Sequence, residues 1–202
     1  SVNTENYDGS SWSEQPNMNT ARSYAFGALQ GTQTAFYKAG GIVGTTRQNI
    51  TEEYDGSSWT SGGNLNTTRG QGGGTGTLTA GLAACGYTGT APTNATEEYN
   101  GTAWANGNNM GASLIEPSVA GTQAVAILSG GDPSVTACFE YDGTNWASSP
   151  AMANGRNLHA TAGVISTGSL AIGGINPSGP NNKLTATEEY TKVGTARSVD
   201  TS

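Results

Sequence analysis

Apolar residues along this chain fall into two alternating patterns, and neither has the 3.6-residue period of an amphipathic helix. The first is a short run closed by glycine: AFYKAGG ending at Gly41, AGLAACG at Gly86, AVAILSGG at Gly131 and SLAIGG at Gly174. Runs of this length bounded by turn signals predict buried central strands, with the glycines permitting a bend or a close backbone approach at the strand end. The second is TEEYDGSSW at 51–59, which returns as TEEYNGTAW at 96–104 and, more loosely, as TENYDGSSW at 4–12 and CFEYDGTNW at 138–146. A fifth copy, TEEYTKVGT, starts at Thr187 and has no tryptophan. Asp-Gly or Asn-Gly between alternating segments predicts a β-hairpin, because a type I′ turn needs positive φ at both central residues. With Asp55 and Gly56 as the turn, Tyr54 faces Ser57 and Glu52 faces Trp59. Glu52, Tyr54 and Trp59 then share one side of the ribbon, and Thr51, Glu53 and Ser58 the other.

The two patterns belong to one repeat. Tyr7, Tyr54, Tyr99, Tyr141 and Tyr190 recur every 42 to 49 residues, and the first four are each followed five residues on by Trp12, Trp59, Trp104 or Trp146. Ten residues beyond each tryptophan stand Arg22, Arg69, Leu114 and Arg156. A period of this size decides the architecture. The units run approximately 7–53, 54–98, 99–140 and 141–189, with terminal closing segments, inside one domain spanning 1–202. Each reads as four short strands and is too small to bury its faces alone, so copies pack side by side. Four-stranded units of about 45 residues radiate around an axis as propeller blades. The expected class is therefore all-β, a β-propeller of four repeat units forming four blades, or five if the terminal pieces combine. An open array and a β-sandwich are the rivals. TARS at 195–198 echoes TARS at 20–23 and favours the beginning of a further repeat.

Composition narrows the function. Only 34% of residues are apolar, but charged residues are just 11%, with Gly, Thr, Ser and Asn filling the difference, a mixture suited to short strands and tight turns rather than disorder. A net charge of -7, with eight basic residues spread along the chain, gives no footprint for a phosphate backbone, so no nucleic-acid partner is expected. No apolar run approaches the ~20 residues of a membrane span and no charged-then-apolar leader is visible, so no membrane insertion is expected. The chain starts without methionine inside a repeat unit, which fits a processed product or part of a longer polypeptide. Cys85 matches Gly40, and Cys138 matches Thr51 and Thr96; both read as small buried hydrophobes, without metal-ligand spacing.

An apolar strand ending in Gly-Gly, then a Tyr, then a Trp resembles the kelch repeat of kelch proteins and of the galactose oxidase central domain. The likeness covers essentially the whole chain, with a tighter Tyr-to-Trp gap and Cys85 in place of a glycine in the second copy. The fuller string, with GTQTA at 31–35, NLNTTR at 64–69 and ATEEY at 95–99, resembles tandem repeats in tail-fibre and other surface proteins of marine bacteriophages. These resemblances imply a kelch-like propeller at a virion or other extracellular surface. Its partners would be a host-surface glycan or envelope protein, or neighbouring virion subunits, within a larger polypeptide or a homo-oligomer.

A residue repeated in every unit answers a packing problem common to all units, whereas a ligand site needs unlike groups converging. Trp12, Trp59, Trp104, Trp146, Tyr54, Tyr99 and Tyr141 are read as scaffold on that ground. Arg22, Arg69 and Arg156 occupy equivalent positions and so do not converge on one carboxylate as a sialidase triad would. In the third unit the arginine becomes Leu114 and the glutamate of the following hairpin becomes Phe139. This paired exchange predicts ion pairs Arg22–Glu52, Arg69–Glu97 and Arg156–Glu188, replaced in the third unit by an apolar contact. His159, in RNLHATAG, is the sole histidine, so no imidazole-rich copper site can be assembled; it is expected to be structural on an inner strand. The paired glutamates 52/53, 97/98 and 188/189 point to opposite faces of a strand, which stops adjacent members acting together as acid and base. Glu116 and Asp132 are one-off carboxylates that could meet. Asp8, Asp55 and Asp142 serve turns rather than calcium, since no D-x-D-x-D-G loop is present. No catalytic residues, metal or cofactor are expected. Sequons at Asn49, Asn66, Asn94 and Asn100 are expected by chance in an Asn/Thr-rich chain.

In an up-and-down four-stranded blade, the connection between the second and third strands emerges on the same face as the link to the next blade. The length-variable loops 42–50, 87–95, 132–136 and 175–186 therefore share one face, a usual way to build a binding surface. Candidate ligand residues there are Thr46, Arg47, Asn49, Tyr87, Thr90, Asn94, Asp132, Asn176, Asn181, Asn182 and Lys183, with Tyr87 the one aromatic platform. The expected function is a non-enzymatic recognition or adhesion module. The alternatives are a structural spacer or decoration, and a glycan-active enzyme.

Overall fold

The computed structural model describes residues 2–133, 135–164, 168–176, 183–191 and 197–199. Among them there is no helix. A two-stranded hairpin, β1 (Thr4–Tyr7) and β2 (Trp12–Gln15), comes first. The next sheet contains β3 (Phe26–Gly27) and β4 (Phe36–Ala39), a small projecting hairpin β5 (Ile42–Val43) and β6 (Thr46–Arg47), then β7 (Thr51–Tyr54) and β8 (Trp59–Gly62); its order is β3-β4-β7-β8. A second sheet runs β9 (Gly73–Thr77), β10 (Ala80–Ala84), β11 (Thr96–Tyr99), β12 (Trp104–Asn106). A third runs β13 (Ser118–Gly121), β14 (Ala126–Ser129), β15 (Cys138–Tyr141), β16 (Trp146–Ser149). The fourth runs β17 (Ala160–Val164), β18 (Gly168–Ile172), β19 (Thr187–Tyr190), β20 (Arg197–Val199). All pairings are antiparallel and join strands consecutive in the chain, except that the β5–β6 hairpin stands between β4 and β7. The first strands of the sheets line up in chain order, β3 beside β9, β9 beside β13 and β13 beside β17. Each glycine-ended apolar run is the second strand of its sheet.

The Tyr–Trp hairpins are real, but their register differs from that expected. Tyr54 pairs with Trp59 and Glu52 with Ser61, so the loop is the four residues Asp55 to Ser58 rather than the pair Asp55–Gly56. The cause is the aspartate side chain: Asp55 Oδ1 accepts the amides of Ser57 and Ser58, each at 2.8 Å, and closes a wider loop. Asp8 and Asp142 do the same. These bonds hold the Asp8 and Asp55 carboxyls down at about 2. Because the loop lengthens by two, Glu52, Tyr54 and Trp59 still share a face, while Ser58 moves into the loop. Tyr and Trp rings pack at 4.8 to 5.2 Å in all four hairpins.

The sheets are joined by contacts that recur unit by unit. Trp59, Trp104 and Trp146 Nε1 donate to Thr4, Thr51 and Thr96 Oγ1 of the preceding hairpin at 2.9 to 3.0 Å. Tyr99, Tyr141 and Tyr190 donate to Glu53, Glu98 and Glu140. Inside each sheet the first glutamate of the pair turns the other way. Arg69 Nη1 lies 2.7 Å from Glu97 Oε1, and Arg22–Glu52 and Arg156–Glu188 make the same contact, every member buried. Glu97 also accepts the amides of Asn66 and Thr67, while Arg69 Nη2 donates to Ala83 O. Each pair thus pins the incoming link onto its sheet. In the third sheet Leu114 is buried in a cluster with Met110, against which Phe139 packs, so the exchange is apolar for ionic.

The glycine pairs serve the next junction. Gly41, Gly86 and Gly131 amides donate to the carbonyls of Arg69, Leu114 and Arg156 at 2.9 to 3.0 Å. The preceding residue sits at φ +59 in Gly40 and +64 in Gly130, where an added Cβ would lie 2.5 and 2.3 Å from the same carbonyls. Cys85 keeps that backbone at φ 59, and it faces the one link that carries Leu114 instead of arginine.

Near the C-terminal end the pairing differs from that expected. Arg197–Val199, whose sequence echoes the start of a repeat, is the outer strand of the fourth sheet, paired with β19. Among the described residues the two ends share no sheet: β1 pairs with β2, and β17, β18, β19 and β20 form a four-stranded sheet.

Candidate functional site

Two residues past each of Arg22, Arg69, Leu114 and Arg156 the backbone is left-handed: Tyr24 at φ 53, Gln71 at 60, Glu116 at 55 and Leu158 at 50. A non-glycine residue held there costs roughly 1–3 kcal/mol and persists only where its surroundings fix it. The fixing bonds run from unit to unit, Gln71 N to Tyr24 O at 3.0 Å and Glu116 N to Gln71 O at 2.7 Å. The backbone device is therefore repeated while the side chains it displays are all different.

Around the middle two of these positions lies a cleft of about 340 Å³ lined by Arg47, Gln71, Tyr87, Ile115, Glu116 and Asp132. The β5–β6 hairpin delivers Arg47, whose Nη2 donates to Gln71 Oε1 at 2.9 Å and whose guanidinium lies 4.8 Å from the Tyr87 ring centroid. Gln71 Nε2 donates to Glu116 Oε1 at 3.1 Å, and Asn157 Nδ2 donates to Glu116 Oε2 at 3.3 Å. Asp132 is placed by a bridge to Ile115, its amide 2.6 Å from Ile115 O. One cation, two carboxylates and two amides thus meet on the face formed by the links and the second-to-third-strand loops. Such a set can donate to and accept from a polyhydroxylated or peptidic ligand.

The residues expected at this face divide. Arg47, Tyr87 and Asp132 come together. Arg47 covers one face of the Tyr87 ring. Asn49 and Asn94 do not reach the cleft: their Nδ2 atoms donate to Leu65 O and Met110 O, tying each loop to the next link. Asn66, another sequon residue, similarly donates to Trp104 O. Thr46 is exposed in β6, and Thr90 shares a hydrogen bond with Thr88 in an exposed turn. Asn176 and Lys183 belong to the loop of the fourth sheet, outside the cleft lining, and Asn181 and Asn182 lie outside the described residues. Gln71, Ile115 and Asn157 went unread because they sit on links, not loops. Their signal is in the sequence, since the position two past each arginine or its substitute holds Tyr, Gln, Glu and Leu, and the position one past, which includes Ile115 and Asn157, holds Ser, Gly, Ile and Asn.

Other chemistry-bearing groups are scaffold-like. His159 precedes β17 rather than lying on a strand; it is buried, with Nε2 2.9 Å from Ser129 Oγ and Nδ1 without a partner among the described residues. Burial, aided by the Arg156 charge, pushes its pKa down to about 4. Cys85 and Cys138 are free and buried, and burial pushes both thiols up to about 11. Among the described residues no group of three or more His, Cys, Asp or Glu side chains is placed to hold a metal ion.

No protein-family model matches the chain, and no curated protein matches it either.

Proposed function

We propose that this chain is a non-enzymatic recognition module, a kelch-like propeller whose four sheets are blades, carried on a virion or other extracellular surface. In this reading it is a tail-fibre-type component, and the cleft around Arg47, Gln71, Glu116 and Asp132 contacts a host glycan or envelope protein. The observation that carries the reading is the contrast at the four left-handed positions, where a repeated backbone presents unlike side chains beside a polar cleft. Scaffold needs the first feature and has no use for the second. The resemblance to phage surface repeats supplies the setting, and the acidic, Thr/Asn-rich composition agrees with a polar, extracellular ligand.

A glycan array, run with host-envelope fractions beside it, tests the proposal. Capture by the wild-type chain that is lost in Arg47→Ala and Glu116→Ala, both still folded, supports it; no capture on either format rejects it. A structural spacer is the second reading, favoured by Asn49 and Asn94, which spend loop side chains on holding the next unit. A glycan-active enzyme is the third, since Glu116 and Asp132 line one cleft. It predicts hydrolysis products on incubation with a captured glycan, abolished by Glu116→Ala or Asp132→Ala.

A further inference from the structure

Asn-Gly occurs three times in the chain, at 100–101, 106–107 and 154–155, and the fold treats the three steps differently. At such a step the glycine amide nitrogen can attack the asparagine Cγ, because no side chain on the following residue stands in its way. Asn106 ends β12, where Gly107 N donates to Thr96 O at 2.9 Å and Asn106 Oδ1 accepts Asn66 Nδ2 at 3.0 Å. Gly155 is buried, and Asn154 is held against Glu188, its backbone amide 3.1 Å and its Nδ2 3.4 Å from Glu188 Oε1. In the one case the attacking nitrogen is tied down. In the other it is sealed from solvent beside a carboxylate, whose charge opposes an anion forming on Asn154.

Asn100 is the opposite case. It is exposed in the loop between β11 and β12, and Gly101 N makes no hydrogen bond among the described residues. Asn100 Nδ2 likewise has no acceptor among them, whereas Asn49, Asn66 and Asn94 donate theirs to backbone carbonyls. Asn100 Oδ1 accepts the amides of Thr102 and Ala103, each at 2.9 Å. Those two donors sit where negative charge collects when a nucleophile adds to Cγ, which is the arrangement of an oxyanion hole. The same bonds fold the side chain over its own backbone, so that Cγ and Gly101 N belong to one hydrogen-bonded ring. A free nucleophile, a polarised carbonyl and an unheld leaving group therefore meet at this step alone of the three.

We propose that Asn100 is a site of spontaneous deamidation, promoted by the loop that holds it. Hydroxide takes the Gly101 amide proton and the nitrogen forms a bond to Asn100 Cγ. The Cγ–Nδ2 bond then breaks, and the departing nitrogen takes a proton from water and leaves as ammonia, so that a succinimide remains. Water adds to this ring. Opening the bond from Gly101 N to Cγ gives aspartate at 100, and opening the bond from Gly101 N to the main-chain carbonyl carbon of residue 100 gives the isoaspartyl link. The first product carries the residue already present at Asp8, Asp55 and Asp142, whose carboxylates accept the same pair of loop amides. The second adds one carbon to the main chain between Tyr99 and Trp104, which tie the second sheet to the first through Glu53 and Thr51. The modification thus acts at a junction between sheets.

Peptide mapping by mass spectrometry tests this on the whole chain, kept in mildly alkaline buffer with and without urea. Asn100, Asn106 and Asn154 are followed together by the mass gain of aspartate over asparagine, and an Asn100→Asp chain marks the retention time of the normally linked product. In native buffer Asn100 should convert at least about tenfold faster than Asn106 and Asn154, the factor set by the hydrogen bonds and burial that those two steps must first undo. In urea the three rates should converge, and the products at 100 should include the isoaspartyl peptide beside the aspartyl one. Similar native rates at the three steps, conversion led by Asn106 or Asn154, an Asn100 that converts only in urea, or an aspartyl product with no isoaspartyl partner would each overturn the proposal.

Discussion

Replacing Arg69 and Glu97 by the residues of the third unit, as Arg69→Leu and Glu97→Phe, probes the mechanism that fastens each link to its sheet. Both side chains are fully buried. Arg69→Leu leaves Glu97 with the amides of Asn66, at 2.6 Å, and Thr67, at 3.1 Å, but no counter-charge. Glu97→Phe leaves a buried guanidinium with the Ala83 carbonyl at 3.1 Å and strips the two amides of their acceptor. Removing one partner of a buried pair costs about 3–5 kcal/mol, chiefly through the charge left behind, so each single change should fall in that range. The double variant buries no charge and loses mainly the two amide bonds, at about 1–3 kcal/mol each. It should therefore be more stable than the sum of the singles implies, by a coupling of about 4 kcal/mol, the difference between two single losses and the double loss. Urea unfolding followed by tryptophan emission and far-ultraviolet dichroism supplies the four free energies, with coincident transitions as the check on two-state behaviour. Additivity within about 0.5 kcal/mol would refute the reading that Leu114 and Phe139 replace an ion pair as a unit.

Three further outcomes are expected. The unfolded His159 takes its proton near its ordinary 6.5 and the folded one near 4, so the unfolded state binds more protons between those values. Stability is then full above about pH 6.5 and declines toward pH 4 by at most about 3 kcal/mol, a slope that His159→Gln should reduce and that unfolding midpoints across this range will show. Gly130→Ala, which sets a Cβ 2.3 Å from Arg156 O, should cost at least about 2 kcal/mol, whereas Gly44→Ala, at φ +60 with open space around it, should cost only the left-handed penalty of about 1 kcal/mol. Equal losses in thermal or urea unfolding would contradict the close-approach explanation. Cys85 and Cys138 should resist alkylation in the native protein and react promptly in denaturant, since both are buried and their thiols are pushed up to about 11.

The sequence made the recurring hairpins, central strands and ion pairs readable because each solves a packing problem that every unit shares, and repetition exposes shared solutions. The Arg–Glu pairing was legible for the opposite reason: in one unit Leu114 and Phe139 changed together. The turn was not legible because Asp-Gly suits both a two-residue turn and a four-residue loop closed by the aspartate side chain, and the two differ only in the pairing of the folded hairpin. The even difference of two residues left the faces intact. Arg197–Val199 misled because the same letters serve a link near residue 20 and an outer strand here, a choice made by pairing with β19. At the candidate site Arg47, Tyr87 and Asp132 were visible as unlike residues in loops. Gln71 and Asn157 were hidden in links, and Asn49 and Asn94 looked like ligand residues although the next unit uses their amides.

The central claim is that repeated positions hold the fold while the unlike residues of the cleft are spared for recognition. A proteolysis-resistance scan of displayed single substitutions tests it without knowledge of the ligand, because folding alone sets the readout. The account predicts that substitutions at Tyr99, Glu97 and Gly130 abolish resistance, whereas those at Arg47, Tyr87 and Asp132 leave it within about 0.5 kcal/mol of wild type. Losses at the three cleft residues as large as those at the repeated ones would contradict it.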